Sequence, residues 1–190
     1  MPFDHFDFIA PVFSRVGYAS VEDMLRYADL PTPGRVLDAG GGTGRVANAI
    51  REHAREVVIA DPSLGMLRQA DRTQLQLACS NSEALPFPSD YFERILMVDA
   101  LHHVVHQGDT ARELYRVLKP GGRLVIEEPD IRKFVVKLIA VAEKLLLMRS
   151  HFLAPQKIVD LFSFDSAKAS IHATDGNAWV VIEKPGEKSF

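Results

Sequence analysis

The chain has 190 residues, of which 47% are hydrophobic and 25% charged, a balance typical of a globular protein with a substantial core. Its formal net charge of −3 argues against a general electrostatic attraction to nucleic acid. The single cysteine, Cys79, excludes an internal disulfide framework and a zinc site built on several cysteines, so a reducing, cytoplasmic compartment is expected. The first residues include acids and have no basic stretch, so they do not predict a signal peptide.

Short apolar runs typical of buried strands alternate with helical patterns along the chain. The first predicted helix begins at Ser20, with Asp23 at the spacing of a capping box. The predicted strands are 35–39, 56–60, 75–79, 93–100 and 123–128, and the predicted helices are 20–30, 44–54, 62–70, 110–118 and 154–162. Apolar strands that alternate with helices indicate a parallel sheet covered by helices on both faces.

The end of the chain has a different pattern. Two further strand-like runs, 169–174 and 178–184, are joined by Asp175-Gly176-Asn177, and Asp-Gly between two such runs is a strong hairpin signal. We therefore predict an α/β fold whose mostly parallel, seven-stranded sheet carries an antiparallel hairpin strand at the C-terminus. The prediction is a single domain, 1–190, with a helical cap at 1–30, a core at 31–130, a helical lid or insertion at 131–160 and the hairpin at 161–190.

The segment 131–149 is long and apolar but is interrupted by charges, Lys137, Glu143 and Lys144 among them. A membrane-spanning helix needs about 20 consecutive apolar residues, so an amphipathic helix is predicted and not a transmembrane segment. Four roles stay open for it: packing on the core, closing over a site, forming a dimer face, or a peripheral contact with a membrane surface. Both a monomer and a homodimer are compatible with the sequence.

Glycines are concentrated directly after the first predicted strand. The pattern is Asp38-x-Gly40-x-Gly42-x-Gly44, with Gly41 inside it. Glycine permits positive φ and close approach of a ligand, and ligands of open α/β sheets bind beyond the carboxyl ends of the strands. The spacing differs from a dinucleotide fingerprint, which would require glycine at position 45, where Arg45 stands.

This pattern resembles motif I of the class I S-adenosylmethionine-dependent methyltransferases, and two further segments support the match. Residues 80–104, "SNSEALPFPSDYFERILMVDALHHV", and 113–130, "ELYRVLKPGGRLVIEEPD", are similar to the ubiquinone- and menaquinone-biosynthesis-type subgroup. The resemblance implies a Rossmann-like fold and S-adenosylmethionine as cofactor, with S-adenosylhomocysteine as product. It also implies methyl transfer to a small-molecule acceptor, aromatic or lipophilic in the manner of a quinone, without a metal and without nucleic acid.

The resemblance also suggests which residues bind the cofactor. Asp38 is expected to favour the methionine ammonium or a supporting hydrogen-bond network, and Asp61 to accept the ribose hydroxyls. Leu64 and Met66 are expected against the adenine, and Asn81 stands where the subgroup usually has an aspartate that holds the adenine amino group. The full expected set is Asp38, Gly40, Gly41, Gly42, Gly44, Asp61, Pro62, Ser63, Met66, Asn81, Ser82, Glu83 and Asp99.

Catalytic groups are expected after the fourth strand. Asp99 ends that strand, and His102 and His103 follow, with histidine being the side chain most easily poised as a base near neutral pH. Two other functions stay open. One is a binding or regulatory module that holds S-adenosylmethionine or S-adenosylhomocysteine without catalysis, and the other is a nicotinamide-dependent oxidoreductase, against which the glycine spacing argues.

Overall fold

The computed structural model describes residues 19–134, 136–137, 140–141, 150–163, 166–174 and 176–186. Most of the predicted cap at 1–30 and most of the predicted helix at 131–149 therefore lie outside the described residues, as does Asp175 of the hairpin turn. In the described part of the chain, no helix combines the length and the apolar character that crossing a membrane requires.

A single seven-stranded sheet organises the molecule, in the order β3-β2-β1-β4-β5-β7-β6. Its strands are β1 Thr32–Ala39, β2 Ala54–Asp61, β3 Gln76–Cys79, β4 Phe92–Val98, β5 Leu118–Pro129, β6 Lys168–Ala173 and β7 Asn177–Glu183. The pairings among β1 to β5 are parallel, whereas β7 runs antiparallel to both β5 and β6. The predicted fold class and the antiparallel hairpin are confirmed.

Helices follow the strands on both faces of this sheet. They are α1 Val21–Ala28, α2 Arg45–Ile50, α3 Leu64–Leu67, α4 Gln107–Val117 and α5 Pro155–Asp160, with short 3₁₀ turns at Arg51–His53 and Leu101–His103. The Ser20 hydroxyl caps α1 by accepting a 3.0 Å bond from the Asp23 N–H, as predicted.

Two elements have bounds that differ clearly from the prediction. The α3 helix is only four residues long, since Ser63 is its N-terminal cap and Arg68 its C-terminal cap. The β5 strand begins at Leu118 and includes the Lys-Pro-Gly-Gly stretch, 119–122, which lies between the predicted helix 110–118 and the predicted strand 123–128. There Leu118 pairs with Phe92 of β4, and the Gly121 N–H donates to the carbonyl of Lys184. Long-range pairing therefore overrides the local turn signal.

Alternate residues of the strands pack into two separate hydrophobic clusters. The cluster on the α4 and α5 face includes Leu124 and Ile126 of β5, and the cluster on the α1 and α2 face includes Val125 of the same strand. Burial on both faces explains the continuous apolar runs. It leaves the carboxyl ends of β1, β2, β4 and β5 as one common edge, where polar residues collect.

Phe92 tests how far the core depends on a single ring. It is fully buried and makes edge-to-face contacts with Phe87 and Tyr91, with ring centroids 5.0 Å apart in both pairs. We expect Phe92→Ala to lower the free energy of unfolding by roughly 4 kcal/mol, through lost burial and the cavity left behind. Urea unfolding measures this change. Phe134→Ala, at a ring that is 73% exposed, is the matched control and should cost no more than about 0.5 kcal/mol; equal costs would contradict the core assignment.

Candidate active site at the carboxyl edge of the sheet

The loop between β1 and α2 depends on glycine for two reasons. Gly40 and Gly44 have φ values of +71° and +83°, which side chains rarely adopt. A Cβ atom at Gly40 would lie 2.7 Å from the Ala100 Cβ, and one at Gly44 would lie 2.8 Å from Ile59 Cδ1. These two glycines are therefore required by the packing of the loop itself.

Gly42 differs from them. It also has a positive φ, +53°, but a Cβ there would meet nothing closer than the Met66 thioether, at 3.5 Å. A Cβ would thus make only ordinary van der Waals contact with the described residues, and the Gly42 N–H is bonded to the Asp61 carboxylate at 3.0 Å. The bare backbone at Gly42 is thus suited to the close approach of a ligand.

Asp38 supports the loop from below. Its carboxyl is only 1% exposed and accepts a 3.0 Å bond from the Ala47 N–H in the first turn of α2. It also underlies Gly41, where a Cβ would lie 2.5 Å from Asp38 Oδ2. Burial raises the pKa of Asp38 to about 7, although the Ala47 hydrogen bond and the charge of Arg45 act in the opposite direction. Of the two roles expected for Asp38, this geometry favours the supporting network.

Asp61, at the end of β2, joins two loops. Its Oδ2 accepts the Gly42 N–H, and its Oδ1 accepts the Ser63 N–H at 2.7 Å. Each carboxylate oxygen has a further lone pair, so the pair of oxygens can still accept two hydroxyl groups. The side chain is 7% exposed, which places it at the floor of the edge and not on open surface.

The neighbours of Asp61 provide an apolar border. Ser63 caps α3 by accepting a 3.3 Å bond from the Met66 N–H, which fixes the direction of that short helix. Leu64 and Met66 are both nearly half exposed. The Pro62 carbonyl lies 3.6 Å from the Cys79 thiol, which joins this loop to the end of β3. The loop after Asp61 thus carries the two side chains that were expected against the adenine, both with accessible apolar surface.

The loop after β3 contains an orphaned polar atom that the sequence analysis did not single out. The Ser80 hydroxyl is buried without a hydrogen-bond partner among the described residues, while its N–H donates to the Asp61 carbonyl at 3.2 Å. Of the predicted residues beside it, Asn81 is exposed, Ser82 is buried and Glu83 is half-buried. Only the unsatisfied burial of Ser80 marks it, and the sequence has no signal for that.

Asp99 lies at the lip of the edge, directly after β4. It is exposed and has a φ of +54°, which is uncommon for a residue other than glycine. Its N–H donates to the Glu127 carbonyl at 2.9 Å and thereby ties the turn to β5.

Glu128 anchors the rest of this turn. Its Oε1 accepts the N–H groups of Ala100 and Leu101 at 3.0 and 2.7 Å, and its Oε2 lies 2.6 Å from His102 Nδ1. All three bonds are buried, so they are protected from competing water. Glu128 was not among the residues expected from the sequence, which has no local signal for this anchoring role.

His102 and His103 have different environments. His102 is 3% exposed, its ring stacks on Phe152 at a centroid distance of 4.3 Å, and its carbonyl accepts the His151 N–H at 2.7 Å. His103 is exposed, and Ser150 Oγ lies 3.5 Å from its Nδ1. Although His103 is exposed, its ring packs on that of His102 at a centroid distance of 3.9 Å. Desolvation and, secondarily, the neighbouring His102 lower the pKa of His103 to about 4, so its imidazole is neutral at pH 7. The structure thus places His102 in a structural pair and leaves His103 accessible.

Glu127 completes the edge and was not among the predicted site residues. It is 1% exposed, and its Oε1 finds no hydrogen-bond partner within the described ranges. Burial, together with the nearby carboxylates of Asp99 and Glu128, raises the pKa of Glu127 to about 8, against the opposing charge of Arg45 and a hydrogen bond to Asn177. The sequence shows two consecutive acids at a strand end, but it does not show that both are buried.

Comparison with known proteins shows what kind of domain the chain resembles. Residues 37–126 match the family model of a methyltransferase domain. The chain is 41% identical over 103 residues to the ubiquinone/menaquinone biosynthesis C-methyltransferase of Bordetella avium, a match that covers 50% of this chain and 40% of that relative. It is 39% identical over 113 residues to the protein of the same name from Edwardsiella ictaluri, covering 53% and 45%. The chain thus spans less than half the length of these curated relatives.

Solved structures agree at the level of the fold. The YcgJ protein of Bacillus subtilis has a TM-score of 0.75 at 19% identity, covering 87% of this chain and 98% of that one. A SAM-dependent methyltransferase from Aquifex aeolicus has a TM-score of 0.72 at 16% identity, covering 95% and 98%. At such identities the likeness concerns the chain path and not the ligands.

The burial of Asp38 gives a pH-dependent prediction. The folded protein keeps a proton on this carboxyl up to about pH 7, whereas the unfolded chain loses it near the ordinary value of 3.8. The contribution of Asp38 to stability is therefore complete below pH 3.8 and is lost as the pH rises to 7. Asp38→Asn cannot titrate, so the stability of the variant relative to the wild type should rise by roughly 3 kcal/mol between pH 4 and 7.

Urea unfolding at several pH values measures this difference. Asp71→Asn, at a carboxylate on the surface, should not reproduce the rise. Parallel stability curves for the wild type and Asp38→Asn would show that Asp38 titrates normally.

Proposed function

Because the chain belongs to the class I S-adenosylmethionine-dependent methyltransferase family, we propose that it transfers a methyl group from S-adenosylmethionine to a small-molecule acceptor. The observation that carries this proposal is the junction of Asp61 with Gly42. There a buried carboxylate with lone pairs left to accept further bonds lies beside bare backbone that no described residue crowds. A ribose diol and the chain that extends from it match this combination of acceptors and space.

The other residues of the edge fit the remaining parts of the cofactor. The exposed side chains of Leu64 and Met66 offer apolar surface to an adenine ring. The orphaned Ser80 hydroxyl and the exposed Asn81 lie on the next loop and supply polar groups for the ring nitrogens. We propose Ser80 as an addition to the cofactor-binding residues expected from the sequence.

The bound cofactor would supply an electrophilic methyl group on a sulfonium, so the protein needs to align the acceptor and exclude water. We assign the alignment of the acceptor to the turn from Asp99 to Leu101, whose position Glu128 fixes. His102 supports the turn from inside. His103 presents a neutral imidazole on the outside, and Asp99 an exposed carboxylate, so these two are the proposed groups for orienting an acceptor or taking up its proton.

The proposed acceptor is an aromatic or lipophilic small molecule. The names of the ubiquinone/menaquinone biosynthesis relatives support this class. Two exposed apolar side chains on the segments that follow β4 and β5, Val105 and Phe134, are consistent with such an acceptor, since they are 60% and 73% exposed.

Calorimetric titration with S-adenosylmethionine tests the proposed function. We expect binding of S-adenosylmethionine and S-adenosylhomocysteine but not of NADH, since the glycine spacing does not fit a dinucleotide. Asp61→Asn should weaken binding at least tenfold, because hydrogen bonds to a charged acceptor contribute about 1.5–3 kcal/mol.

The matched control is Asp71→Asn, which changes a half-buried acid of the same type that pairs with Arg51, and it should bind like the wild type. Equal affinity of Asp61→Asn and the wild type would contradict the assignment of the ribose site. Absence of binding in the wild type would defeat the proposed function.

A further inference from the structure

Glu127 is a buried carboxyl group whose hydrogen-bonding capacity is incompletely used. Its side chain is 1% exposed, and Oε1 has no partner in the part of the chain that the structure describes. Buried polar atoms without partners are rare in folded proteins and cost about 1–3 kcal/mol each. An unpaired oxygen at the edge where ligands of this fold bind is therefore a candidate ligand contact.

The groups that act electrostatically on Glu127 come from four elements. They are Asp99 on the turn after β4, Arg45 at the start of α2, Asn177 at the start of β7, and Glu128 on β5 itself. The two acids, Asp99 and Glu128, make the negatively charged form of Glu127 unfavourable, and Arg45 and Asn177 offset this only in part. The local field thus favours an additional positive charge.

This cluster adjoins the glycine loop. The turn that carries Asp99 continues into Ala100, whose methyl group packs so closely on Gly40 that a Cβ there would lie 2.7 Å from it. Arg45 directly follows Gly44, the last glycine of the loop. Asp99 and Arg45 thereby connect Glu127 to the loop that would hold the non-nucleoside end of the cofactor, on the side away from Asp61.

We propose that Glu127 and Asp99 form a subsite for an organic cation at the carboxyl ends of β4 and β5, and that Glu127 releases its proton to solvent when the cation binds. The inference rests on the proposed function and extends it to Glu127, which was not among the site residues expected from the sequence. In the free protein the proton on Glu127 removes the repulsion from Asp99. In the complex the positive charge of the ligand offsets the repulsion between Glu127 and Asp99, and the only bond that breaks is the O–H bond of Glu127.

S-adenosylmethionine has two groups of the required chemistry, an ammonium and a sulfonium. S-adenosylhomocysteine retains only the ammonium, and 5′-methylthioadenosine has neither. Comparison of the three compounds therefore identifies which cation occupies the subsite, independently of any methyl transfer.

The pH dependence of affinity is the principal test. Because the pKa of Glu127 is about 8, binding that removes its proton should strengthen with rising pH below that value, by up to about tenfold per pH unit. Between pH 6 and 7.5 the amino group of the ligand stays largely protonated, since α-amino groups titrate near 7.7–8.0. We expect this increase in the wild type with S-adenosylmethionine, and its absence in Glu127→Gln, which resembles the protonated form at every pH.

Proton release provides a second readout. Calorimetric titrations at pH 6.5 in two buffers with different ionisation enthalpies should show about one proton released by the wild type and none by Glu127→Gln. The difference in affinity between the two proteins should shrink as the pH falls toward 6, where measurable binding also shows that the variant is folded. Asp99→Asn should shift the pH at which the affinity levels off to lower values, because one of the charges that raises the pKa of Glu127 is removed.

Glu183→Gln is the matched control on the same sheet. Glu183 pairs with Arg123, four residues before Glu127 on β5, at the far end of β7 from Asn177, so this variant should keep the wild-type pH profile. An increase for both S-adenosylmethionine and S-adenosylhomocysteine places the ammonium in the subsite, whereas an increase for S-adenosylmethionine alone places the sulfonium there. Binding that depends on pH equally in the wild type and Glu127→Gln, or equally for 5′-methylthioadenosine, would overturn the inference while leaving the proposed function standing.

Discussion

Buried carboxylates that accept backbone N–H groups hold the loops at the carboxyl edge of the sheet. Asp61 accepts from Gly42 and Ser63, and Glu128 accepts from Ala100 and Leu101. In each case a rigid strand carries the acid and a neighbouring loop supplies the donors. Such charge-assisted bonds are stronger than neutral ones, and burial shields them from water. The shape of the site therefore depends on a few acids positioned by the central strands.

This construction concentrates acids where the ligand is expected. Asp38, Glu127 and Glu128 are almost inaccessible to solvent, and Asp99 lies above them at the lip. Desolvation raises the pKa of Asp38 and of Glu127, so part of the potential negative charge is neutralised by protons in the free protein. An edge of this kind favours a cationic ligand, which suits a family whose cofactor carries a sulfonium.

The pair formed by His102 and Glu128 shows that a residue type suited to acid-base chemistry can be buried in a structural contact. In the sequence, two adjacent histidines after a strand are reasonable candidates for acid-base chemistry. In the structure, the first ring is enclosed between Glu128 and Phe152, while the second is exposed. Alternation along a short 3₁₀ turn separates the neighbours, and only the packing decides which of them is buried.

The sequence by itself determined the order of the elements, the parallel sheet with its terminal hairpin, and the glycine loop beside Asp38 and Asp61. These features have local signals: apolar runs, an Asp-Gly turn, and glycines at positions that need positive φ. Only the tertiary structure decided the burial and the hydrogen bonding of Ser80, Glu127 and Glu128. Their burial and their partners arise from strands and loops that are distant in the chain, and a residue's own neighbours in sequence do not encode which polar atoms such contacts leave unsatisfied.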